Sequence, residues 1–165
     1  VVAAAKTDGP VYIRFSRSAT PVFTTSDTPF VIGKATMLWK SDAPKVAILS
    51  TGSLGYAALT AARALSEKGI ESIVLHVPTI KPLDEEAVLA AAKLAGRVVT
   101  VEEHQAAGGF GSAVAEFLSQ NHPVPMRLLG IADQFGQSGS PDELLAHYGL
   151  DALHIEEAAR AFVRI

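Results

Sequence analysis

KVAILSTGSLGYAALTAARALSEKGIESIVLHV, residues 45–77, holds two apolar runs with a helical pattern between them. The first run, residues 45–50, has no polar break inside it, which predicts a strand buried on both faces. Between 53 and 68, Leu54, Ala58, Ala61, Ala62 and Leu65 return on one helical face, and Gly69 stands where a helix would end on a left-handed residue. Residues 70–77 repeat the apolar run as a second strand. Two strands joined by a single helix call for a right-handed crossover, and so for parallel pairing.

The same rhythm continues downstream. Pro78 and Pro82 punctuate a loop, Asp84 caps a helix whose first turn carries Glu85 and Glu86, and Gly96 closes it. Residues 97–101 predict a third strand, 111–120 a helix and 126–131 a fourth strand, followed by a polar, glycine-containing loop. Ser140 and Pro141 open another helix that Gly149 stops, and 155–163 form the last one. Upstream, 30–39 is β-prone and interrupted by Gly33, and it ends in a turn at 41–44. Residues 11–15 alternate in strand fashion, with Val11, Ile13 and Phe15 on one face, before Pro21 and Pro29 break the pattern into a linker. The expected fold class is α/β: a three-layer α/β/α arrangement with a mostly parallel sheet of about five strands.

Composition narrows the function classes. In 165 residues, 48% are hydrophobic and 19% charged, enough apolar material for one compact domain and a short extra segment. The net charge of −3 leaves no surplus of positive charge for nucleic acid or an anionic membrane surface. No apolar run reaches the roughly 18 residues of a membrane helix. The absence of cysteine excludes disulfides, thiolate metal sites and thiol nucleophiles, and fits a reducing compartment, so a cytoplasmic location is expected. The chain starts at Val1 and its methionines are Met37 and Met126, which suggests a piece of something longer.

In a parallel sheet, ligands sit beyond the carboxyl ends of the strands. The loop at 50–55, Ser50-Thr51-Gly52-Ser53-Leu54-Gly55, approaches the dinucleotide fingerprint G-x-G-x-x-G but has Ser50 in place of the first glycine. No acid follows the second strand to hold a ribose, and Thr51 breaks the nucleophile elbow around Ser53. A helix N-terminus packed on the sheet and a small-anion site both remain open for this loop. The loop at 102–111 is richer, with Glu102, Glu103 and His104 ahead of Gly108, Gly109, Phe110 and Gly111. Neighbouring residues on a strand face opposite ways, so the two acids do not serve one substrate together. One acid could act with His104, or the acids could cap amides or meet a neighbouring domain. The five histidines have no metal-ligand spacing, so no metal site is expected.

Six segments resemble, in order, the C-terminal third of transketolases: 11–17 (VYIRFSR), 48–52 (ILSTG), 77–84 (VPTIKPLD), 101–104 (VEEH), 108–114 (GGFGSAV) and 130–139 (GIADQFGQSG). The pattern is most similar to the type split into two subunits. The resemblance implies a thiamine diphosphate and Mg enzyme that moves a two-carbon ketol unit between sugar phosphates. On that reading residues 1–25 are the tail of a pyrimidine-binding domain, 26–44 a linker with a short extended segment, and 45–165 the C-terminal domain. The cofactor motifs of the family are missing from the chain, so it is expected to be inactive alone, with no catalytic residue of its own. Arg17 matches the family arginine that grips the sugar phosphate, a role suited to a guanidinium's parallel donors; Arg14 is assigned no role. Glu102, Glu103, His104, Gly108, Gly109, Phe110 and Gly111 are expected to dock against a neighbouring domain, the N-terminal subunit or a homodimer partner, with Phe110 as the exposed apolar contact. Two alternatives stand beside this one. The chain could come from a related thiamine enzyme, such as deoxyxylulose phosphate synthase or a 2-oxo acid dehydrogenase β-subunit, from which the VEEH segment distinguishes it. Or it could be a free-standing module binding a small anion at 52–55 or 108–111.

Overall fold

The computed structural model describes residues 1–164. Five strands, β1 (Thr36–Lys40), β2 (Val46–Ser50), β3 (Ser72–His76), β4 (Val98–Gln105) and β5 (Met126–Ile131), form one sheet in the order β1-β3-β2-β4-β5. β2, β3, β4 and β5 run parallel, and β1 is an antiparallel edge on β3. The helices are α1 (Val2–Ala5), α2 (Gly55–Glu67), α3 (Glu85–Ala95), α4 (Phe110–Asn121), α5 (Pro141–His147) and α6 (Ala152–Val163), with a 3-10 turn over Gly52–Leu54.

Alternation along the strands divides the core into two layers. Val46, Ile48, Val74, Val99 and Val101 meet Leu54, Ala58, Ala62 and Leu65 of the turn and α2, together with Ile155 and Ala159 of α6. Ala47, Leu49, Ile73, Leu75 and Val98 meet Val88 and Ala92 of α3 and Phe110, Val114 and Leu118 of α4. β2 is fully buried, as its unbroken apolar run requires. The alanines of α2 and α3 let both helices lie close on the sheet. A buried carboxylate locks α6 to α2: Glu156 is bonded to Lys68 at 2.8 Å and to Arg160 at 2.9 Å.

The local stop and start signals form as expected. Gly69, Gly96 and Gly149 take positive φ of 73°, 66° and 68° where α2, α3 and α5 end. The Asp84 side chain accepts from the Ala87 amide, and Ser140 with Glu143 builds a full capping box. Four expectations change. Residues 11–15 form no strand, because no other strand lies alongside to take their backbone bonds. β1 begins only at Thr36, after a turn in which the Lys34 amide donates to the Val31 carbonyl and Gly33 takes φ 78°. β4 runs on to Gln105, so Glu102, Glu103 and His104 lie on a strand rather than in a loop. α6 starts at Ala152, where the Asp151 side chain accepts from the His154 amide.

Candidate functional site

The sheet order places β3 and β4 on opposite sides of β2, so the direction of winding reverses between β2 and β4. Such a reversal opens a crevice at the carboxyl ends of the two strands. The two polar segments singled out in the sequence, 50–55 and 102–105, face each other there. The Thr51 amide donates to the Val101 carbonyl at 3.2 Å, and Ser53 Oγ donates to the Glu103 carboxylate.

Glu102 and Glu103 point to opposite faces, as strand geometry dictates. Glu102 is 3% exposed and accepts from the amides of Phe110 at 2.7 Å and Gly111 at 2.8 Å. Its charge therefore sits on the positive end of α4 and satisfies two amides that the helix itself cannot. This occupancy corrects the small-anion reading at 108–111, since the amides an anion would need are taken. His104 is exposed, and its partner is the Gln105 carbonyl at 3.5 Å, so the structure joins it to neither acid.

Phe110 is also corrected: it is 1% exposed and packs in the core with α3 and α4. It is the first residue of α4, its amide donates to Glu102, and its ring packs among the buried residues of that face of the sheet. The glycines around it allow close approach within the chain. A Cβ at Gly111 would stand 2.5 Å from Thr100 Oγ1 and 2.8 Å from Leu128 Cγ, and Gly109 lies against Glu102 and the Gln105 carbonyl. Of the seven loop candidates, Glu103, His104 and Gly108 remain exposed. Arg17 is exposed and makes no hydrogen bond or ion pair among the described residues.

Two features escaped the sequence reading. Ser50 and His76 are paired in register as the last residues of β2 and β3, and Ser50 Oγ lies 3.2 Å from His76 Nδ1. Burial lowers the imidazole pKa below its ordinary value. Polar residues closing two neighbouring strands were the available signal. Arg14 donates to the Glu103 carbonyl at 3.3 Å, which nothing in its local sequence indicates.

A parallel sheet with one antiparallel edge, helices on both faces and polar groups gathered at its carboxyl edge defines a doubly wound α/β domain. The chain belongs to the transketolase C-terminal domain family: the family described as "Transketolase, C-terminal domain" matches residues 33–155. It is 45% identical over 156 residues to an apulose-4-phosphate transketolase subunit of Phocaeicola vulgatus, covering 94% of this chain and 49% of that protein. It is 40% identical over 155 residues to the 1-deoxy-D-xylulose-5-phosphate synthase of Trichormus variabilis, covering 92% of this chain and 24% of the synthase. Among solved structures, a split-gene transketolase described as an inactive beta4 tetramer superposes with a TM-score of 0.91 at 41% identity, over 98% of this chain and 52% of that one. The chain thus spans about half the length of the Phocaeicola vulgatus relative.

Proposed function

We propose that this chain is the C-terminal part of a thiamine diphosphate-dependent transketolase of the split type, which moves a two-carbon ketol unit between sugar phosphates and is inactive alone. The observation that carries the reading is the 45% identity to an apulose-4-phosphate transketolase subunit along nearly the whole chain. The likeness to a split-gene transketolase at a TM-score of 0.91 supports it. The chain is 45% identical to the transketolase subunit and 40% identical to the synthase, and the VEEH segment at 101–104 also favours the transketolase reading.

Thiamine diphosphate and Mg would be held by parts of the enzyme outside this chain. The residues at the start of α4 do not fit a diphosphate, because the Glu102 carboxylate already holds the Phe110 and Gly111 amides. Among the described residues, no three His, Cys, Asp or Glu side chains gather into a metal-holding group. Residues 1–25 would belong to the pyrimidine-binding domain, 26–44 to the linker and 45–165 to the C-terminal domain. Glu103, His104 and Gly108 would meet the neighbouring domain or subunit.

Arg17 is this chain's substrate contact on that reading, through charge-assisted bonds to the sugar phosphate. In the whole enzyme, Arg17→Ala raises KM for phosphorylated sugars by about 10- to 150-fold, the equivalent of about 1.5–3 kcal/mol, and changes unphosphorylated sugars far less. Steady-state kinetics on both substrate types checks this, and equal losses on both would make Arg17 structural.

A further inference from the structure

The connection from β5 to α5, residues 132–140, is exposed throughout, and Phe135 near its middle is 95% exposed. Single exposed apolar residues are common on proteins, so exposure by itself assigns nothing. Two further features set this connection apart from an ordinary solvent loop. From Gln134 to Pro141 it carries no charge, and glutamine, glycine and serine surround the one aromatic ring. An aromatic anchor among uncharged neighbours is the composition of an interface core.

The connection is also held on both sides of that ring. Asp133, turned by a φ of 46°, donates its amide to Gln105 Oε1 at 3.0 Å. Gln105 is in regular pairing with Ile131 of β5, and the Ala106 amide donates to the Ile131 carbonyl at 3.0 Å. On the other side the Gln137 amide donates to the Tyr148 hydroxyl at 2.9 Å, and the Tyr148 ring packs against His147 and the core layer of α2 and α6. Only Gln134, Phe135 and Gly136 lie between the two anchors. The ring is thus presented from fixed points, and covering it costs little ordering entropy.

The same end of β4 indicates what covers it. The Arg14 guanidinium donates to the Glu103 carbonyl at 3.3 Å, two residues from the Gln105 side chain that holds the connection. On the reading given above, residues 1–25 are the tail of the pyrimidine-binding domain. That domain and Phe135 therefore meet the sheet at one place, and continuity with the Arg14 contact favours this domain over a second copy of the chain or the N-terminal subunit.

We propose that residues 132–140 form a docking surface, anchored by Phe135, for the pyrimidine-binding domain to which residues 1–25 belong. The inference rests on the transketolase reading and its division into domains. It gives Phe135 the apolar contact that the sequence places at Phe110, whose ring the core takes instead.

The test uses the whole enzyme with a photo-cross-linking side chain, Phe135→p-benzoylphenylalanine. Irradiation joins position 135 to the pyrimidine-binding domain of the same chain, so the product keeps the mass of one chain on a denaturing gel and peptide mapping finds the partner in that domain. Products with the summed mass of two chains, or no cross-link, would overturn the proposal. Thermal melting gives a second readout. Phe135→Ser lowers Tm of the whole enzyme by at least about 2 °C and leaves residues 1–165 alone, whose sheet is complete and covered on both faces, within about 1 °C. Phe135→Leu, still apolar, recovers most of the loss. Equal shifts in both proteins, or no shift in the whole enzyme, would overturn the docking. Neither readout uses catalysis. A one-chain cross-link in an enzyme that transfers no ketol unit would overturn the transketolase reading and leave the docking standing, whereas ketol transfer with two-chain cross-links would overturn the docking alone.

Discussion

At the amino end of α4, the Glu102 carboxylate does what a side-chain cap outside the helix normally does, reaching across from β4 to take the Phe110 and Gly111 amides. Glu102→Gln offers one oxygen where two amides point, and turns its own NH2 toward the second. Loss of one bond to a charged acceptor in a buried site lowers unfolding stability by about 1.5–3 kcal/mol, measurable by urea denaturation. His76 sets a second residue-scale expectation. Its folded pKa lies below the ordinary 6.5, so below that pH the unfolded chain takes up a proton that the buried imidazole refuses. Stability is therefore complete above about pH 6.5, falls as the pH drops through the window beneath it, and levels off below the folded pKa. In His76→Asn, whose amide can still meet Ser50, thermal melting across that window becomes flatter.

Among the elements, α3 shows how a cap read from sequence acquires a second duty in the fold. The Asp84 side chain accepts from the Ala87 amide at 3.2 Å and also from the Ala35 amide at 2.9 Å, while Lys34 lies 3.7 Å away. Asp84→Ala thus removes both the helix cap and the tie to the segment entering β1. Its cost is about 1–2 kcal/mol in chemical denaturation, at the upper end for a lost cap. Ser140→Ala, which disturbs only the exposed capping box of α5, costs less in the same experiment.

The caps, the glycine stops and the core strands were legible in the sequence because each depends on a few adjacent residues. The failures depend on what lies far away. Residues 11–15 have a strand's alternation and no strand beside them. Phe110 and Phe135 both sit among glycines and polar residues, yet Phe110 is 1% exposed and Phe135 is 95% exposed. The difference is that a helix begins at Phe110, with Glu102 holding its amide, whereas Phe135 lies on the irregular connection from β5 to α5. At the candidate site, the opposed directions of Glu102 and Glu103 followed from strand periodicity. The meeting of Ser53 with Glu103, and of Ser50 with His76, followed only from the strand order.

For the whole molecule, the described structure is a complete sheet with both faces covered, and its polar groups at the carboxyl edge are largely engaged with one another. Ser53 holds Glu103, Glu102 holds α4, and Ser50 holds His76. Such an edge suits a scaffold that positions a neighbouring segment better than one that carries out chemistry alone. The most direct measurement is ketol transfer from a ketose phosphate to an aldose phosphate in thiamine diphosphate and Mg, run in parallel on residues 1–165 alone and on the whole assembled enzyme. The predicted result is cofactor-dependent transfer by the assembled enzyme and none by residues 1–165. Transfer by residues 1–165 alone, or no transfer by the assembled enzyme, would contradict a C-terminal part that works only within the whole transketolase.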